Sequence, residues 1–297
     1  MGNNNHLLGV LFAFGATLFW SGNYIVARGV YESTPPVTLA FWRWTFALTA
    51  ILPFSFKYFS NHYLKLIRRH FKYLCITALF GVTIFNTLVY IASHTTSALN
   101  LSLIAITCPA FILIISAIFL KKKLSVREIT GSIVALSGLV VLITKGSLEQ
   151  LMELDFSIGD IWMLVASIIF ALYSIFLKDK PKSMDLGFFL FITFLLGLLF
   201  LVPFYIWEFN LEGAIPFTSD NILVFSYLGI FAALLSYFLW TRAILLIGPI
   251  KTSAIYYTLP VFSSIAAYLL LGENIEAVQL FSMFIVVTGI LLCTIRT

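Results

Sequence analysis

The sequence predicts an all-α membrane protein whose ten transmembrane helices form two inverted five-helix repeats. Three observations lead there. Of the 297 residues, 61% are hydrophobic and only 10% charged, more apolar surface than one water-soluble core can hide. The apolar residues fall in runs of membrane length with short polar stretches between them. The pattern then recurs after roughly 150 residues. Pro53-Phe54 returns as Pro203-Phe204, Arg28 as Lys178, Pro109 as Pro260 and Gly138 as Gly289.

The apolar runs cover residues 7–30, 36–58, 73–93, 97–120 and 127–144, then 160–178, 186–207, 222–243, 252–271 and 277–295. Most approach the ~20 residues that cross ~30 Å of hydrocarbon. Lipid offers backbone polar groups no partner, so each run is read as a helix. Continuous apolarity also lacks the alternation of a β-barrel strand. The first run follows Met-Gly-Asn-Asn-Asn-His, with no basic leader or small-residue cleavage site, and is expected to be a retained span. Stretches 61–72 and 145–159 read as polar connectors. The copies are taken as residues 1–150 and 151–297.

Eighteen basic and thirteen acidic residues leave a net charge of +5. With the N-terminus inside, fifteen of the eighteen fall on the inner side, among them Arg68, Arg69, Lys121, Lys122, Lys123, Lys180 and Lys251. Arg28 and Lys145 lie outside and Arg43 lies within a span. This asymmetry predicts cytoplasmic termini in a cell inner (plasma) membrane. Basic residues distributed this way report orientation and weak attraction to anionic lipid, not a nucleic-acid partner. Acidic residues such as Glu149, Glu153, Asp155, Glu208 and Glu212 fall on the outer side. Each half has an odd number of spans, so the second half enters the membrane from the opposite face. An inverted repeat of this kind is the architecture of alternating access.

Trp20-Ser21-Gly22-Asn23 followed by Arg28, Phe41-Trp42-Arg43, Pro260 followed by Leu271-Gly272-Glu273, and Gly289 together resemble the EamA-type transporters of the drug/metabolite transporter superfamily. The resemblance covers essentially the whole chain. It implies ten helices, a central cavity and export of amino acids, metabolites or drugs. Ser21 interrupts the family's usual Trp-Gly, and Lys121-Lys122 stands where the second copy has Gly272-Glu273.

A charge inside hydrocarbon is costly, which singles out Arg43. It sits about two turns from the outer end of its helix, either facing a cavity to attract a carboxylate or bonded to carbonyls at the end of a neighbouring helix. Thr193 takes its place in the second copy. Asn86, Tyr90 and His94 share one helix face at i, i+4 and i+8. The repeat matches Asn86 with Tyr237, Tyr90 with Thr241 and Asn23 with Tyr173. These positions, with Trp20, Trp240, Tyr256 and Tyr257, are expected to line a midplane substrate site with aromatic walls and hydrogen-bonding tips. Pro109 and Pro260 remove backbone bonds at equivalent mid-helix points and are the expected gate hinges. His94 and Glu273 are the candidate coupling residues, since no acidic residue lies mid-span. Gly131, Ala135 and Gly138 form a small-residue packing face. Cys75, Cys108 and Cys293 lie in apolar runs and read as packing residues.

These features predict a secondary transporter for small solutes embedded in the lipid bilayer, with amino-acid-like metabolites as cargo and export as the expected direction. A facilitated-diffusion channel or uniporter and a multidrug exporter are the alternatives. The chain carries no phosphate-binding loop for direct ATP drive and no Ser/His or paired-Asp constellation for an intramembrane enzyme. No metal or cofactor is expected, and the oligomeric state is either monomer or homodimer.

Overall fold

A computed structural model of the chain describes residues 3–30, 33–96, 98–144, 146–147, 149, 152, 157–262, 265 and 277–294. These residues are helical with short turns, and no strand occurs among them. The helices are α1 (Asn3–Gly29), α2 (Pro36–Ile51), α3 (Asn61–Thr95), α4 (Ala98–Ala105), α5 (Cys108–Phe119), α6 (Val126–Ile143), α7 (Ile158–Phe176), α8 (Leu186–Glu212), α9 (Ser219–Ile247), α10 (Pro249–Tyr256) and α11 (Ala277–Thr294). Among the described residues, seven helical stretches are long and apolar enough to cross a membrane, and Leu103–Phe119 is a shorter apolar one. Large apolar side chains such as Phe54, Ile118, Phe204, Leu223 and Phe284 point outward, as side chains must where lipid replaces water.

Local sequence sets several helix ends. Pro36 opens α2 and Pro249 opens α10, where a missing N–H costs nothing. Ser125 and Glu128 form a capping box at α6: Ser125 Oγ accepts from the Glu128 amide at 3.2 Å, and Glu128 Oε2 from the Ser125 amide at 2.9 Å. Lys122 donates to the other carboxylate oxygen at 2.7 Å. Gly213 and Gly248, with φ of 82° and 81°, close α8 and α9 in a backbone region that a side chain disfavours.

Two segments depart from the sequence-based expectation. Residues 61–72 are not an irregular connector but the first turns of α3, which bends at His70 (φ −113°, ψ 18°). Hydropathy detects the lipid-facing length and misses a polar helical extension beyond it. The expected span 97–120 is broken at Ile106–Thr107 into α4 and α5. A similar turn at Tyr257–Thr258 follows α10, after which residues 259–262 are helical again.

Packing joins the two halves more than it separates them. Helix α1 lies on α9 and α7 on α3, while α2 lies against both α8 and α9. Helix α6 lies directly against α11. A Cβ built on Gly289 would stand 2.4 Å from the Ala135 amide nitrogen, and one on Gly131 2.7 Å from the Gly289 carbonyl. The two backbones touch, as small residues permit where lipid supplies no hydrophobic drive.

Candidate functional site

Widened, π-helical turns occur in α3 over Leu79–Ile84 and in α9 over Tyr227–Leu235. Such turns free carbonyls from the i→i+4 ladder, and those carbonyls then need other donors. The Gly81 carbonyl accepts from Tyr237 Oη at 2.6 Å, and the Asn86 side-chain amide donates to Tyr237 Oη at 2.9 Å. The Ala232 carbonyl accepts from Trp20 Nε1 and from Arg43 Nη2, each at 2.8 Å. Each half thus offers a carbonyl that side chains of the other half satisfy.

Arg43 is 1% exposed. Its Nη1 donates to Asn23 Oδ1 at 2.5 Å and to Tyr90 Oη at 2.8 Å. Tyr90 in turn donates to Asn23 Oδ1 at 3.3 Å. The guanidinium therefore neither snorkels nor reaches water. It ties α2 to α1, α3 and α9 at one point, and its Nε is buried without an acceptor.

Beside this node Phe170, Tyr237 and Tyr256 meet the Trp20 ring edge to face and Trp240 meets it tilted, with centroids 5.1–6.0 Å from Trp20, and the edge-to-face contacts have the geometry that ring quadrupoles favour. Between ring and node lies a cavity of about 10 Å³, walled by Trp20, Asn23, Arg43, Phe85, Asn86, Phe170 and Tyr256. All seven are buried. The space holds about one water molecule, so the site is occluded.

Repeat-equivalent residues meet here. Asn86 bonds to Tyr237, 151 positions on. The Trp20 and Phe170 rings lie 5.4 Å apart, and those of Trp44 and Phe194 4.9 Å apart. Phe85 and Phe170 were missed by sequence reasoning. Pairing Trp20 with its counterpart in the second copy finds Phe170, whereas no pattern distinguishes Phe85 from the other phenylalanines.

A second, open depression of about 530 Å³ lies at the end of α2 expected to face outward, bordered by Ser33, Pro36, His94, Glu208, Glu212 and Pro216. Glu208 is not the outer-loop acid that its sequence position suggests. It lies in α8, 6% exposed, with Oε1 accepting from the Val37 amide at 3.1 Å. Its Oε2 accepts from the Thr38 amide at 2.6 Å and Thr38 Oγ1 at 2.8 Å. A carboxylate from one helix thus caps another, whose positive end favours it. At the opposite end of the same pair, Tyr58 Oη donates to Asp185, which caps α8 through the Phe188 amide, both at 2.8 Å.

The remaining expected residues divide clearly. Tyr173 is buried beside the ring, its centroid 5.6 Å from that of Tyr237. Trp240 anchors through Nε1 to Ser174 Oγ at 3.1 Å. Tyr257 is not in the ring but in a separate apolar cluster with Ala135, Leu139 and Ile290. Neighbours on a helix diverge by about 100°, so Tyr256 takes the central direction and Tyr257 the peripheral one. His94 is exposed on the outer depression, away from the cavity. Pro109 stands at the start of α5, just after the Ile106–Thr107 break, and Pro260 follows the matching turn at Tyr257–Thr258. Both prolines therefore restart helices and do not bend continuous ones. Glu273 lies outside the described residues.

Membrane-length helices around an occluded, polar-aromatic cavity assembled from both halves define a multi-pass membrane transporter. The chain belongs to the EamA-like transporter family, whose model matches residues 7–144 and again 157–295. Among similar proteins is an uncharacterized transporter of Archaeoglobus fulgidus, 24% identical over 296 residues spanning 100% of this chain and 99% of that one. The uncharacterized transporter YyaM of Bacillus subtilis is 25% identical, covering 96% and 93%. The uncharacterized inner membrane transporter YedA of Escherichia coli is 25% identical, covering 97% and 90%. One solved crystal structure has the same fold, with a TM-score of 0.75 at 16% identity over 96% of this chain and 95% of that one.

Proposed function

We propose that the protein is a secondary transporter that moves small metabolites, amino acids or related compounds among them, by alternating access. Export across the cell inner membrane is the proposed direction. Two five-helix halves, residues 1–150 and 151–297, are inverted relative to each other and rock around the cavity between Trp20, Asn23, Asn86 and Tyr237. The seven long apolar helices, α1, the Leu103–Phe119 stretch and the segment opened by α10 supply ten crossings, with both termini in the cytoplasm. The basic-residue asymmetry supports this orientation, and the name of the YedA relative supports the membrane.

The observation that carries the reading is the reciprocal bonding at Gly81 and Ala232. Carbonyls in widened turns at matching places, each bonded by a side chain of the opposite half, suit two arrangements that exchange by breaking one set and keeping the other. The occluded cavity is the expected intermediate. Its test is counterflow in proteoliposomes. Saturable uptake stimulated by solute on the far side supports a carrier, whereas unitary conductance without trans-stimulation replaces it with a channel. Reagent labelling that puts cysteines in 61–72 and 178–182 on opposite faces would refute the inverted arrangement.

A further inference from the structure

We infer that the central site takes an organic monoanion, a carboxylate paired with Arg43 and a flat apolar body set among the aromatic rings. This rests on the carrier reading and narrows its cargo. Arginine keeps its charge in any protein environment, and here it is 1% exposed within the helix bundle. Every acceptor that holds it is neutral: an amide oxygen of Asn23, the hydroxyl of Tyr90 and the carbonyl of Ala232. The Trp44 ring, 5.4 Å from the guanidinium carbon, softens the charge without cancelling it. Lys122–Glu128 is the ion pair found among the described residues, and it lies at the start of α6, away from Arg43.

A buried charge without a counter-ion is an arrangement that costs stability unless a ligand supplies the opposite charge. Arg43 lines the cavity, and its Nε is buried without an acceptor. A carboxylate matches the guanidinium fork in shape and sign. The other walls are the rings of Trp20, Phe85, Phe170 and Tyr256, with the amide side chains of Asn23 and Asn86 beside them. They fit a ring or branched apolar body, and an ammonium group would meet the like charge of Arg43 with no carboxylate on the cavity wall. A carboxylate lacking an amine is therefore preferred to the zwitterionic amino acid of similar size. Entry requires the Arg43 bonds to Asn23 and Tyr90 to open, because the resting cavity admits only about one water.

The test uses the purified protein in lipid nanodiscs, with phenylacetate, phenylacetamide, phenethylamine and phenylalanine as probes and quenching of tryptophan fluorescence as readout; empty nanodiscs correct for partitioning. Phenylacetate is expected to bind saturably, at least tenfold tighter than phenylacetamide and tighter than phenylalanine, with phenethylamine weakest. Arg43→Gln should bring phenylacetate down to the amide's level, and Arg43→Lys should keep part of the preference. The ranking on the unaltered protein stands even where a variant fails to fold. Equal or tighter binding of the amide, the amine or phenylalanine overturns the inference, as does absence of phenylacetate binding. Counterflow with another solute would leave the carrier reading intact in that case, whereas conductance alongside the expected ranking would remove the carrier and keep the site.

Discussion

The carbonyls of Gly81 and Ala232 stand at corresponding places in the two copies, and each is satisfied across the interface between the halves, one by Tyr237 and the other by Trp20 and Arg43. The side chains that line the candidate site are therefore also ones that bond the two halves together. Under the proposed carrier reading, binding and rearrangement would draw on the same bonds.

Tyr237→Phe removes one hydroxyl, so the Gly81 carbonyl and the Asn86 amide each lose a partner and keep only the 3.4 Å bond between them. Weakening the satisfaction of buried polar groups in this way costs about 1 kcal/mol. Thermal unfolding of the detergent-solubilised protein should begin several degrees lower, with helical content unchanged. An unaltered midpoint would show that the bond does not hold the closed form.

Glu208→Gln replaces the acceptor-only carboxylate at the start of α2 by a group that also donates. Hydrogen bonds to a charged group contribute about 1.5–3 kcal/mol, so destabilisation of that size is expected. Thr38→Val removes one of the same bonds, and the two changes together should be less than additive by at least about 0.5 kcal/mol. Strict additivity in the double-mutant cycle would break the proposed link between α8 and α2.

Gly289→Ala places a methyl 2.4 Å from the Ala135 backbone nitrogen, where no side chain can move aside. Loss of monodisperse protein by size exclusion is expected. Gly213→Ala meets nothing within 4 Å and strains only its positive φ, so it should cost about 1 kcal/mol and leave the elution profile intact. Equal tolerance of both would show that α6 and α11 can part.

Ser125→Ala removes the acceptor for the Glu128 amide and should cost about 1 kcal/mol, measurable as a lower unfolding midpoint. The accompanying loss should be greater in Glu128→Ala, which also frees Lys122.

Much of this site was legible in the sequence. The i, i+4 spacing of Asn86 and Tyr90 put both on one face of α3, and the repeat marked Asn86 and Tyr237 as equivalent positions, which the structure bonds to each other. Arg43 stood out because charge is rare in hydrocarbon. The rest depends on information that periodicity lacks. Helix rotation decides between Tyr256 and Tyr257. The widened turns at Leu79–Ile84 and Tyr227–Leu235 are apolar runs like their surroundings, and their freed carbonyls are matched by donors far away in sequence. Glu208 reads as an outer acid because its partner is the amide end of a helix some 170 residues earlier, and backbone amides leave no trace in composition.

The seam between α6 and α11 has one more consequence. Where backbones touch through Gly131 and Gly289, an added Cβ would run into backbone atoms of the other helix, yet neither helix contributes a side chain to the aromatic cage. The contact that holds these two helices is thus written at a different address from the proposed solute site. Under the carrier reading, the cage is free to be retuned for a new solute while the clasp of glycines stays untouched, and one scaffold can serve many diets.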